Sequence, residues 1–156
     1  MTNFRSTFLA ASVGLLTVAC GGSIGTVTVD TTNMKISVDS TFTASVPNGS
    51  PTGFDLDIKD VGTADIPNLN ILFNDGDRFL DKYTVGSAGS CKVDTSLPGL
   101  SCGKLAHGAD LKFTVTATPK SAGSFVFKFQ VAENKQILKQ ADNNIYVYSW
   151  TQTVTS

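Results

Sequence analysis

The stretch "DLKFTVTATPKSAGSFVFKFQV", Asp110 to Val131, decides the fold. In its first half Leu111, Phe113, Val115 and Ala117 alternate with Lys112, Thr114 and Thr116. In its second half Phe125, Phe127, Phe129 and Val131 fall on every second position. Side chains of a strand point alternately to opposite faces, so each half predicts a β-strand with one apolar face. The two runs flank "PKSAG", rich in residues that break strands.

The same period recurs upstream. Met34, Ile36 and Val38 share a parity that Phe42, Ala44 and Val46 continue. The cluster "PNGSPTG" then turns the chain. Phe54, Leu56 and Ile58 alternate with Asp55, Asp57 and Lys59, and Leu69, Ile71 and Phe73 resume the pattern. A last long strand is expected in "NNIYVYSWTQTV", with either Ile145 and Val147 or the stripe Tyr146, Tyr148 and Trp150 facing inward. "AENKQILKQA", Ala132 to Ala141, lacks a clean apolar face and reads as a long loop or a single helical turn. About seven strands divided by turn clusters predict an all-β chain folded as a two-sheet sandwich over residues 34–156.

The N-terminus reads differently. Met1 and Arg5 precede an uncharged, mostly apolar run from Phe8 to Ala19, a pattern of signal-peptide form. The run is shorter than the ~20 residues needed to span a bilayer. It ends in "LTVAC", Leu16 to Cys20, which resembles the lipobox of bacterial lipoproteins. The resemblance implies that the Cys20 thiol receives a diacylglycerol and that the chain is cut before Cys20. It also implies further acylation, such as palmitate, on the new amino group. Residues 1–19 are then a leader. Residues 20–33, with Gly21, Gly22, Ser23 and Gly25, are a tether. Residues 21–33 reach at most ~45 Å at ~3.5 Å per residue. One acyl chain binds marginally, at about 0.8 kcal/mol per buried methylene, and two hold stably. The expected place is the cell membrane or outer membrane, lipid-anchored, on the extracytoplasmic side of the cell envelope.

Composition narrows the partners. The chain has 156 residues, 12 basic and 13 acidic side chains and a net charge of −1. It carries no basic run, so nucleic acid is not an expected partner. With Cys20 assigned to lipid, Cys91 and Cys102 remain as an even pair in an oxidising compartment, which predicts a disulfide bond between them. A metal site there would want four ligands, and only His107 lies close by. No metal or other cofactor is expected.

Several of these pieces together resemble bacterial Ig-like surface modules. They are "DVGTAD" (60–65), Cys91, Cys102, "GKLAHG" (103–108), "FTVTATPKSAGSFVFKFQV" (113–131) and "DNN" (142–144). Their order is similar to that in the "domain of unknown function eleven" conserved-repeat family and in CARDB adhesion-type domains. Asp60 stands where that family prefers Asn. The resemblance spans about residues 53–150. It implies an Ig-like sandwich, often displayed at the cell surface, with no enzymatic activity and no defined ligand.

Motifs that suggest catalysis have plainer explanations. "GGSIG", Gly21 to Gly25, matches a nucleophile elbow, but that device needs a strand before it and a helix after it. Ser23 sits in the tether instead. His107, the only histidine, falls in a turn. Asp75, Asp77 and Asp81 lack the later glutamate of a calcium loop. Asn48-Gly49-Ser50 fits a glycosylation sequon, which means little in a bacterial lipoprotein. Tyr146, Tyr148 and Trp150 remain as a candidate interaction stripe.

Two functions follow. The first is a membrane-anchored, non-catalytic interaction or spacer module that contacts an envelope or extracellular protein or a glycan. The alternative is a carrier holding a small solute between the sheets. A sandwich filled by Phe113, Phe125, Phe127 and Phe129 leaves no room for such a solute, whereas an internal hollow of several hundred Å3 favours the carrier.

Overall fold

The computed structural model describes residues 30–73 and 77–156. Its elements run β1 (Lys35–Phe42), β2 (Ser45–Pro47), β3 (Thr52–Asp60), β4 (Ile66–Leu72) and the one-turn helix α1 (Phe79–Lys82). Then follow β5 (Tyr83–Ser87), β6 (Lys92–Asp94), β7 (Gly99–Leu105), β8 (Asp110–Pro119) and β9 (Gly123–Glu133). The chain closes with β10 (Gln136–Ile137), β11 (Lys139–Gln140) and β12 (Tyr148–Thr155). They form two sheets, a five-stranded one in the order β11-β1-β3-β8-β5 and a seven-stranded one in the order β2-β12-β9-β4-β7-β6, with β10 also on β9. This is the expected all-β, Ig-like two-sheet sandwich.

The apolar parities meet between the sheets. Ile36, Phe54, Leu56, Ile58, Phe113, Val115 and Ala117 come from the five-stranded sheet, and Leu69, Ile71, Phe125, Phe127, Phe129, Val131, Trp150 and Val154 from the other; all are buried. Phe79 of α1 packs edge-on against Phe54 (5.3 Å) and Phe127 (5.3 Å) and stacks on Tyr83 (4.8 Å). Edge-on and offset pairs of this kind add to the burial of apolar area. A polar link also crosses the core. The Tyr83 hydroxyl donates to Gln152 Oε1 at 2.5 Å, and Gln152 Nε2 donates to the Thr43 carbonyl at 2.6 Å.

Among the described residues twelve strands replace the seven or so expected. The surplus includes short pieces, β2, β6, β10 and β11, of two or three residues each. It also includes β5 and β7, whose sequences YTVGS and GLSCGKL show no clean alternation. Ala132–Ala141 is corrected as well. Instead of a loop or helical turn, β9 runs on to Glu133 and hairpins into β10, with Glu133 paired to Gln136. Asn134 and Lys135 take left-handed φ of 45° and 76°, the conformation that a tight hairpin turn requires. Leu138 is then buried and β11 joins β1 in parallel.

The "DVGTAD" segment fastens the start of β1. Asp60 Oδ1 accepts the Gly62 N–H at 2.9 Å, and the Val61 N–H donates to the Lys35 carbonyl at 2.8 Å. A Cβ on Gly62 would lie 2.2 Å from the Asn33 carbonyl oxygen, so only glycine fits this approach.

Candidate functional site

The bridge between Cys91 and Cys102 is present, with Cα atoms 4.1 Å apart. β6 pairs with β7 from Lys92↔Ser101 onward, which sets the two cysteines opposite each other one step earlier. The bond therefore staples the edge strand β6 to β7. The start of β8 at Asp110 takes no part in it.

The expected tyrosine and tryptophan stripe divides. β12 begins only at Tyr148, and Ile145, Tyr146 and Val147 precede it outside any strand, with exposures of 53%, 45% and 47%. Trp150 is a core residue, stacked on Phe42 at 4.2 Å and within 5.0 Å of Phe127. Tyr148, half-buried, stacks one ring face on Phe129 at 4.8 Å. Tyr146 and Tyr148 alone stay at the surface. The face with Tyr148 and Trp150 turns inward because Tyr148 pairs with Phe129 and Trp150 with Phe127, whose rings already point into the core.

These two tyrosines line a groove of about 340 Å3 with Ser37, Val38, Gln140, Ala141 and Asp142. It lies at the seam between the two sheets, where β1 faces the start of β12. Asp142 is well oriented. Its Oδ1 accepts the Asn144 N–H at 3.0 Å, and its Oδ2 accepts Asn144 Nδ2 at 3.0 Å and the Tyr146 hydroxyl at 2.6 Å. These bonds, that from Tyr146 first, hold the Asp142 carboxyl below its ordinary range. The same bond raises the Tyr146 phenol. Gln140 Nε2 donates to the Tyr148 hydroxyl. Burial pushes Tyr148 up to about 12, with smaller contributions from Tyr146, Asp39 and Asp142.

A second hollow, about 360 Å3, lies on the outer face of the five-stranded sheet and includes Asp39, Thr41, Asp55, Asp57, Lys112 and Thr114 among its walls. Its polar groups largely satisfy one another. Lys112 pairs with Asp57 at 2.6 Å, and Asp55 accepts the hydroxyls of Thr41 at 3.1 Å and Thr114 at 2.6 Å. Both hollows are walled mainly by residues at the surface, whereas the buried aromatic rings pack on one another between the sheets.

The other residues singled out in the sequence are scattered. His107 is exposed in its turn, where its N–H donates to Asp65 Oδ1 at 2.9 Å. Asp77 does more than face solvent. It exchanges backbone and side-chain bonds of 2.8 Å with Val126, which fixes the segment before α1 to β9. Asp81 is exposed and 3.7 Å from Arg78. Cys20, Ser23 and Asp75, with the leader and nearly all of the tether, lie outside the described residues. Among the described residues no three His, Cys, Asp or Glu side chains converge as a metal site would require. Sequence reading missed Gln140 and Asp142, because only the β9–β11 excursion brings them beside Tyr148.

No family model and no curated protein matches the chain by sequence. Solved structures do share its fold. A CARDB domain from Pyrococcus furiosus, crystallised in complex with di-metal ions, superposes with a TM-score of 0.51 at 12% identity, over 81% of this chain and 93% of that one. A cohesin module from a family 33 glycoside hydrolase of Clostridium perfringens does so with a TM-score of 0.51 at 15% identity, over 78% of this chain and 96% of that one.

Proposed function

We propose that this chain is a lipid-anchored, extracytoplasmic module that works by contact with another envelope or extracellular molecule and not by catalysis. The observation that carries the reading is a stapled sandwich directly downstream of "LTVAC". The Cys91–Cys102 bond supports export to an oxidising compartment. Between Cys20 and the first strand at Lys35 the sequence carries Gly21, Gly22, Ser23 and Gly25, a composition suited to a tether. The fold shared with a CARDB domain and a cohesin module supports a contact role, although a fold by itself names no partner. The ring-filled interior does not favour the carrier alternative.

Fractionation of cells that express the chain tests the anchor. The processed protein is expected in the membrane fraction with lipid mass on Cys20, and Cys20→Ala is expected to release it or leave it uncut. A mature N-terminus elsewhere, with no lipid mass, would overturn the anchor. Crosslinking in intact cells tests the contact role. A defined adduct formed by the folded domain supports it, and its absence across crosslinker chemistries counts against it.

A further inference from the structure

We infer that the seam groove between β1 and β12 docks an extended peptide segment of a protein partner, with a lysine or arginine side chain seated between Tyr146, Tyr148 and Asp142. The inference rests on the contact-module reading and names its surface and partner chemistry.

Three observations converge on this groove. First, the strand edge beside it is open. β1 is paired to β11 only at Lys35 and Ile36, so from Ser37 to Phe42 its side away from β3 has no strand partner among the described residues. β12 is likewise paired to β2 only from Thr153 to Thr155. An open edge presents backbone N–H and C=O groups that an incoming strand can complete. Ser37 and Val38, at the start of the open edge of β1, are themselves walls of the groove.

Second, the groove is negative and aromatic. Asp142 is a wall, and Asp39, next to Val38, acts on Tyr148 along with it. No lysine or arginine lines the groove. Lys112, the cation that feels Asp39, is already paired with Asp57 at 2.6 Å. Third, both tyrosine hydroxyls are engaged, Tyr146 with Asp142 and Tyr148 with Gln140. What remains to offer a ligand is the ring surfaces beside a fixed carboxylate. Ring faces attract a cation, and a carboxylate alongside completes its neutralisation. The exposed Ile145 and Val147 flank Tyr146 with apolar surface suited to the neighbouring residues of an extended peptide.

The test is an NMR titration of the isotope-labelled chain carrying Cys20→Ser. The probe is the blocked pentapeptide valine-lysine-valine-lysine-valine. Its glutamate counterpart and cellotetraose serve as comparison probes. Saturable amide shifts confined to residues 37–42 and 139–148, with the lysine peptide alone, are expected. Tyr146→Ala and Asp142→Asn, both at exposed positions, should weaken binding roughly fivefold to tenfold, while Tyr146→Phe, which keeps the ring but loses the bond to Asp142, should weaken it clearly less than Tyr146→Ala. Equal binding of the glutamate peptide, shifts centred on Asp55 and Lys112 instead, or binding of cellotetraose but not the lysine peptide would each overturn the inference. The titration probes this groove alone. A negative result here with a crosslinked partner in cells refutes the groove and leaves the contact role standing.

Discussion

Asp60 carries two consequences at the scale of one residue. Its Oδ1 accepts the Gly62 N–H, while Oδ2 is buried with no partner among the described residues. Burial raises its carboxyl above 3.8, and of the groups that face it His107 lowers the value while Asp65 raises it. A folded-state value above the unfolded one means that the native state takes up a proton first as pH falls. The stability linked to this group is fully present below pH 3.8 and is lost as pH rises through the folded value. Asp60→Asn is therefore expected to raise the melting temperature at neutral pH, with the gain vanishing in acid. Thermal unfolding across pH checks this, and an unchanged difference from neutral to acid pH would contradict it. Two residues on, Gly62→Ala drives a methyl against the Asn33 carbonyl, 2.2 Å from the ideal Cβ. Neither side of that contact is a flexible side chain, so a loss of about 2–3 kcal/mol is expected in denaturant unfolding.

At the scale of elements, the β6–β7 hairpin depends on its bridge. β6 has three residues and lies at the sheet edge, too short to hold by its ladder alone. Closing a loop with a sequence separation of 11 contributes about 3 kcal/mol in the chain-entropy model. Reduction, or Cys102→Ser, is expected to lower the melting temperature while the far-UV spectrum stays that of a β protein, because the buried phenylalanines lie outside β6 and β7. A free-thiol assay on the unfolded, unreduced chain should find neither Cys91 nor Cys102 reactive. The β9–β10 hairpin shows the opposite case, an element fixed by turn geometry at Asn134 and Lys135 and by the buried Leu138, with no covalent help.

For the whole molecule, the two sheets are joined by one aromatic cluster. Phe127 is fully buried and meets Phe79, Tyr83, Phe125 and Trp150, with centroids between 5.0 and 5.9 Å. Phe127→Ala removes a ring that touches α1, β5 and β12 at once, and a loss of about 3–5 kcal/mol is expected. Against a typical domain stability of about 5–15 kcal/mol this is a large share. Denaturant titration should show a lower midpoint. A midpoint within error of the parent would mean that the cluster does not join the sheets.

The sandwich class was legible in the sequence because period two is a local property. Phe125, Phe127 and Phe129 declare an apolar face whatever lies opposite, and two such faces bury only against each other. The Cys91–Cys102 pairing was legible too, since once Cys20 is set aside no other partner is left. Asp60, by contrast, shares the parity of Phe54, Leu56 and Ile58, yet nothing local announced a buried carboxylate with an unpartnered oxygen. Other features depended on contacts far apart in the chain. β5 and β7 lack alternation and become strands only because β8 and β4 offer them a ladder. The choice between Ile145 with Val147 and the stripe Tyr146, Tyr148 and Trp150 was balanced locally; the register of β12 on β9 turned Tyr148 and Trp150 inward and, starting only at Tyr148, left Tyr146 exposed with Ile145 and Val147. Most of all, the groove exists because β11 returns to β1 and stops after two residues, which leaves an open edge beside Tyr146, Tyr148 and Asp142. Where a strand ends against a distant neighbour is a property of the assembled sheet, so tertiary structure alone could place that site.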